Sequence, residues 1–172
     1  MTMDKNRIMS QYEMHQMTIR AIQELYPVDF AHCFGCGISN RHGHQLKSYA
    51  RGNEVIAHFV PSPHHTSVPG FVYGGLLASL VDCHAMATAA AGLIENGVAP
   101  RFVTAALRID YLKPTPIGPE LEILGHVTER SEKKAVVQLT VTANGVVTVR
   151  AEVVAVRIPR TMEKEGNSGS GS

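Results

Sequence analysis

Val68-Pro-Gly-Phe-Val-Tyr-Gly-Gly-Leu-Leu-Ala-Ser-Leu-Val-Asp82 reads as a Pro/Gly loop that feeds, through the Gly74-Gly75 pair, into a long apolar helix bearing one carboxylate. From about residue 72 to about 94 nearly every position is small or apolar, so this helix must be covered on most of its sides. Asp82 breaks that pattern, and a charge taken out of water is costly unless it is paired or used. A helix start leaves its first backbone N–H groups without intrahelical partners, and the macrodipole favours negative charge there. Glycines at that start let another molecule approach the backbone closely. Gly74 and Gly75 are therefore candidate donors to a carbonyl oxygen under attack. The plain alternative is that the two glycines serve only close packing of helix on sheet.

The flanking chain supplies the cover. Past Pro100 the pattern turns to period two: Val103, Ala105, Leu107, Ile109 and Tyr111 alternate with Thr104, Ala106, Arg108 and Asp110. Residues 121–127 and 135–142 continue as strands, and Asn144-Gly145 marks a hairpin into 146–158. Upstream, 46–50 and 54–60 are strand candidates joined at Arg51-Gly-Asn53, and 61–70 is a loop with three prolines. Gly97 is expected to cap the C-terminal end of the long helix. Ile8, Tyr12, His15, Ile19 and Ile22 recur at three- and four-residue steps, which predicts an amphipathic helix over 4–26 closed by Pro27. This order fits an α+β architecture, an antiparallel sheet wrapped around one central helix. The expected division is an N-terminal helical extension over 1–29, one domain over 30–159, and a linker-like tail over 160–172 that ends Ser-Gly-Ser-Gly-Ser.

At 172 residues the chain has length enough for one domain with a real core. Sixteen Lys and Arg against fifteen Asp and Glu leave a net charge of +1, which argues against a nucleic-acid or acidic-membrane partner. The apolar run over 70–94 contains Asp82 and His84 and is rich in Ala and Gly, so it reads as a buried helix rather than a membrane span. No basic-plus-apolar leader is seen, and three cysteines are an odd number. A reducing, cytoplasmic setting is the expectation.

Spacing along the helix carries a quaternary consequence. Asp82 follows Gly75 by seven residues, so Gly75, Ser79, Asp82 and Met86 share one helical face. At about 1.5 Å per residue, the carboxylate stands roughly 10 Å from the N–H groups of its own helix start. Reacting groups must approach to about 3 Å. If both act on one carbonyl, they come from two subunits across a two-fold axis, which predicts a homodimer or dimer of dimers with shared sites. The alternative for Asp82 is a structural carboxylate paired with Arg108 or with a backbone N–H.

The pattern Pro-Gly-x-Val-x-Gly-Gly, then six residues, then Asp82 resembles the hotdog-fold acyl-CoA thioesterases of the phenylacetate-pathway type and the related thioesterase-superfamily members. The resemblance covers roughly 30–158. It takes in Cys33-Phe-Gly-Cys-Gly-Ile-Ser-Asn40, Gly43 and Leu46, and Thr104-Ala-Ala-Leu-Arg-Ile-Asp-Tyr-Leu-Lys-Pro-Thr-Pro-Ile-Gly118. It implies a sheet around a central helix and hydrolysis of an acyl-CoA thioester. Asp82 then matches the catalytic carboxylate, acting as nucleophile or as general base on a water. Gly75, with Gly74, matches the position whose N–H polarises the thioester carbonyl, and Thr104 falls where relatives place a Thr beside the attacking water. One departure is clear: the family's usual His before Gly-Gly is Tyr73 here. Tyr donates one hydrogen bond but cannot shuttle a proton near neutral pH, so a non-catalytic acyl-CoA binding or sensing protein is the alternative reading. Ser79 shares the Asp82 face and is a candidate partner for it or for substrate.

Other residues carry weaker signals. His32, Cys33, Cys36, His42 and His44 offer zinc-ligand types, Cys-x-x-Cys followed by His-x-His. The matching segment in the resembled family is not a general zinc site, so no metal is assigned and no cofactor is expected, while a zinc-stabilised interaction domain built on Cys33 and Cys36 stays open as a third reading. Cys83 and His84 adjoin Asp82, but adjacent helical residues point about 100° apart, and a buried Cys with a core His accounts for them. His64 and His65 precede the glycines, and His65 is a candidate lining residue of an acyl entrance. Arg130, Lys133 and Lys134 lie in a charged strand turn; in the resembled family, CoA phosphates often meet basic residues near such turns. Met9, Met14 and Met17 suit the first helix to covering an acyl chain.

Overall fold

The structure, a computed structural model, describes residues 20–159 and Met162. Six antiparallel strands form one sheet around one long helix: β1 (Ser48–Arg51), β2 (Glu54–Phe59), α1 (Gly74–Ala91), β3 (Phe102–Tyr111), β4 (Leu121–Arg130), β5 (Lys134–Ala143) and β6 (Val146–Arg157). The spatial order is β1-β2-β4-β5-β6-β3. α1 crosses from β2, near one edge, to β3 at the other, and it touches every strand on the way. By length and hydropathy (1.2 over 18 residues) α1 would suit a membrane, but 67% of it is buried inside the protein. This is the expected α+β hotdog arrangement.

Packing explains the fit. Leu76, Leu80, Val81, Ala85, Met86 and Ala89 of α1 meet Leu121, Ile123, Val137, Val141, Val149 and Val153 of the sheet in one buried cluster. Gly125 lets β4 pass close beneath the helix: a Cβ there would lie 2.6 Å from Thr88 Oγ1 and 3.3 Å from the His84 ring. His84 is a fully buried polar residue of this core. Its Nε2 lies 3.0 Å from the Val55 carbonyl and its Nδ1 2.8 Å from Ser48 Oγ. The carbonyl can only accept, so Nε2 donates to it and Nδ1 accepts from the serine hydroxyl. The Gln23 side-chain amide holds Ser48 twice, its Nε2 donating to Ser48 Oγ and its Oε1 accepting from the Ser48 backbone N–H. His84 is a core histidine with both ring nitrogens satisfied.

Three expectations need correction. The helix expected over 4–26 is described only from residue 20, and there the chain forms a single 3-10 turn, Ile22–Leu25, between extended Ala21 and Tyr26. Gln23 bonding Ser48 and Ala99 N–H bonding the Leu25 carbonyl hold that turn instead of a helical ladder. The earlier positions, Ile8 to Ile19 with Met9, Met14 and Met17, and the tail over 163–172 lie outside the described residues. The long helix ends at Ala91, not near 94, and Gly97 sits with Asn96 in a tight turn, at φ 76° and 52°, that closes a bridge between Glu95 and Val98.

The third correction concerns β3. Strict alternation puts Thr104 on the face opposite Leu107, but the register with β6 shifts between Thr104 and Ala106. Thr104 pairs with Ala155, Leu107 with Val153, Ile109 with Ala151 and Tyr111 with Val149. Directly opposed residues share a face, and the four β6 partners are all buried. The extra residue, Ala105, therefore turns Thr104 to the helix side, in common with Leu107, Ile109 and Tyr111. The predicted Asn144-Gly145 hairpin is present, with φ values of 51° and 75°.

Candidate active site

The helix start is built as an open donor site. Tyr73 occupies the position before α1 and makes no side-chain cap. Its own N–H bonds the His65 carbonyl, while Leu76 and Leu77 N–H reach back to the Tyr73 carbonyl. Among the described residues, no backbone acceptor meets the N–H groups of Gly74 or Gly75. Two adjacent orphan donors at the positive end of an 18-residue helix suit an oxygen that gains negative charge. The Tyr73 ring folds back over Gly75, where an added Cβ would lie 2.4 Å from it. Tyr111, on the helix-facing line of β3, donates its hydroxyl to the Gly74 carbonyl at 2.9 Å. Desolvation, with Tyr73 nearby, raises the Tyr111 pKa, which keeps that donor protonated. Beside it, Val68, Phe71, Leu77, Tyr111 and Leu112 line a mainly apolar groove of about 440 Å³.

Two turns along α1, Asp82 is half-buried and accepts a hydrogen bond from the Thr104 hydroxyl. The alternative pairing with Arg108 does not form; that guanidinium lies 3.5 Å from Asp110 instead. Nor does Ser79 bond Asp82 among the described residues. Its hydroxyl lies 3.3 Å from where a Cβ on Gly35 would stand, under the 31–46 loop. Both glycines and Asp82 lie on one unbroken helix, so the separation of roughly 10 Å along the axis stands.

The other candidate residues fall elsewhere. His65 is half-buried, its Nδ1 accepting from the Ser62 N–H at 3.1 Å, its ring packed against Phe59 and His44. Burial and the neighbouring His65 lower the His44 pKa. Arg130 donates to the Ala89 carbonyl at 3.0 Å, capping the C-terminal end of α1. It is about 22 Å along the helix from Gly74 of the same chain, and Lys133 follows it in the exposed β4–β5 turn. The histidines do not join the Cys-x-x-Cys pair. Cys33, Cys36 and Cys83 converge instead, their Sγ atoms within 4.8 Å of one another. Hydrogen bonds from the Cys36 and Cys83 thiols, and from the backbone N–H groups of Cys36 and Gly35, hold the Cys33 thiol far below its usual range.

Two residues escaped the sequence reading. Tyr111 stood in a recognised strand motif, but nothing in its spacing pointed to the Gly74 carbonyl. Cys83 joins Cys33 across 50 residues, a contact only the fold creates.

The thioesterase superfamily profile matches residues 69–150, the span from the Pro-Gly loop into β6. A thioesterase superfamily protein from Shewanella loihica, of known structure, is 52% identical; the match covers 69% of this chain and 95% of that one, with a TM-score of 0.60. The chain belongs to the thioesterase superfamily. Among curated relatives, Mus musculus acyl-coenzyme A thioesterase THEM4 is 32% identical over 110 residues, 64% of this chain and 45% of that protein. The chain thus spans about half the length of the curated relatives it matches. The E. coli PaaI protein from the phenylacetic acid degradation operon shares the fold, at 17% identity and a TM-score of 0.57 over 67% of this chain and 81% of that one. Within the superfamily, the Gly74-Gly75 start and Asp82 both fall inside the matched span.

Proposed function

We propose that this chain hydrolyses acyl-CoA thioesters. The observation that carries the reading is Asp82: a half-buried carboxylate on the central helix, met among the described residues by a neutral hydroxyl from an exposed edge strand rather than by a cation. A structural carboxylate in that position would be expected to find a positive partner. The Thr104 hydroxyl orients Asp82 and still has lone pairs for a water, which Asp82 deprotonates as general base. The water oxygen bonds to the carbonyl carbon, the oxyanion rests on the Gly74 and Gly75 N–H groups, and the C–S bond breaks with the proton passing to the CoA sulfur. The products are a free acid and CoA.

The 10 Å separation supports a site shared between subunits, donors from one and Asp82 from the other, in a homodimer or a dimer of such dimers. The free edge of β3 supports this: ten residues long, exposed from Thr104 to Arg108, it offers unpaired backbone groups to another strand. A reducing, cytoplasmic setting accords with the three free thiols. The test is release of thiol from a panel of acyl-CoAs by the purified chain. Turnover that depends on Asp82 supports the reading; a rate no higher than that of Asp82→Asn on every substrate overturns it.

The Tyr73 ring over Gly75 favours a second reading, a protein that binds acyl-CoA without cleaving it. That reading predicts thermal stabilisation by acyl-CoA with no turnover, and a large gain of activity in Tyr73→His. The hydrolase reading predicts that Tyr73→His changes an existing rate and does not create one.

A further inference from the structure

The loop over 31–46 is folded tightly around sulfur. A Cβ on Gly35 would lie 2.2 Å from Cys83 Sγ, and one on Gly37 would meet the Ala31 carbonyl and the Cys33 backbone at 2.4–2.6 Å. Gly37 N–H closes the turn onto the Cys33 carbonyl at 2.7 Å. These glycines bring Cys33 and Cys36 down onto Cys83, with Cys33 and Cys83 sulfurs 3.7 Å apart. Cys36 and Cys83 are 2% and 4% exposed; Cys33 is partly open to solvent.

A second feature points to negative charge in this place. Arg101, just before β3, has a buried Nη1 with no hydrogen-bond partner among the described residues, and its guanidinium lies over the Tyr26 ring at 4.8 Å. Tyr26 is 8% exposed, and its buried hydroxyl is also unpartnered. The three cysteines are near enough to act on the Arg101 charge. A guanidinium with one nitrogen out of water and unpaired is costly. A Cys33 thiolate beside two neutral thiols offsets it, and so do three thiolates around a divalent ion, each arrangement carrying one net negative charge; the second draws on all three converging sulfurs.

We propose that Cys33, Cys36 and Cys83 bind one thiophilic metal ion, zinc(II), at a three-sulfur site backed by Arg101. A tetrahedral ion with metal–sulfur bonds of about 2.3 Å sets its sulfurs about 3.8 Å apart, and the Cys33–Cys83 pair already has that spacing. The fourth position faces the open side at Cys33 and takes a water or an external ligand. Binding replaces thiol protons by the ion, so it releases protons and ties the loop to the helical turn next to Asp82. The site is independent of thioester hydrolysis.

The experiment uses the full chain, purified under reducing conditions without chelator and then incubated with zinc. Elemental analysis and native mass spectrometry are expected to find one zinc per chain. Cys33→Ser, Cys36→Ser and Cys83→Ser should each retain about a tenth or less, while His32→Ala, His42→Ala and His44→Ala keep it. A cysteine variant that fails to fold loses zinc trivially, so the wild-type chain supplies two further readouts. Cobalt(II) substitution should give the thiolate charge-transfer absorption of a three-sulfur site, and iodoacetamide should spare all three thiols until a chelator is added. Less than about a tenth of a zinc per folded wild-type chain overturns the proposal. So does loss of zinc in a histidine variant, or a disulfide among the three cysteines in zinc-treated protein.

Discussion

Asp82 and His84 stand two residues apart on one helix and face opposite fates. Asp82 turns toward the β3 edge and, among the described residues, meets only a hydroxyl; His84 turns into the core, where Ser48 and Val55 satisfy both nitrogens. Burial pushes the His84 pKa down to about 4, partly opposed by its bond to the Val55 carbonyl. The unfolded chain binds this proton near pH 6.5 and the folded chain does not until near pH 4. Stability is therefore full above about 6.5 and falls as pH drops toward 4, by on the order of 3 kcal/mol from this group. Urea unfolding at a series of pH values should show that slope, and His84→Gln, which keeps a donor for Val55, should flatten it. Asp82 was legible as a charge misplaced in an apolar pattern. Thr104 was named only through the resemblance, because alternation put it on the other face; it reaches Asp82 through an extra residue in β3, and Thr-Ala-Ala-Leu carries no glycine or proline to announce a bulge.

The elements were largely legible. A helix apolar on all sides has to be wrapped, and a run of period-two segments has to do the wrapping. Their ends were less so. Gly97 looked like a helix cap because glycine is common there, yet α1 stops at Ala91, where Arg130 takes the Ala89 carbonyl, and Gly97 serves a separate tight turn. Gly125 shows how closely α1 and β4 depend on each other. A methyl group there would press on Thr88 Oγ1, whose hydroxyl is bound to the His84 carbonyl and sits in the packed core. Gly125→Ala should destabilise the fold by about 1–3 kcal/mol, read as a lower urea midpoint at unchanged slope. An unchanged midpoint would mean that β4 is not pressed against the helix.

At the scale of the whole molecule, one chain carries orphan N–H donors at Gly74 and Gly75 and a Thr104-oriented carboxylate about 10 Å further along, which the proposed mechanism treats as two half-sites. That arrangement makes a prediction about mixtures. Asp82→Asn and Gly75→Val should each be inactive alone. Co-expressed, they form mixed dimers in which one site of two draws Gly75 from the first variant and Asp82 from the second. Activity should return to about a quarter of the wild-type rate under random pairing. No recovery in mixed dimers verified by mass would place both halves of the site in one chain.

The hydrolytic role of Asp82 is the centre of the account, and one comparison tests it most directly. Thiol release from a panel of acyl-CoAs is measured for the wild-type chain and for Asp82→Asn, both shown folded by circular dichroism. The account predicts wild-type turnover on at least one acyl-CoA and a loss of about a hundredfold or more in kcat/KM on changing the carboxylate to an amide. Equal rates for the two proteins on every substrate would contradict it.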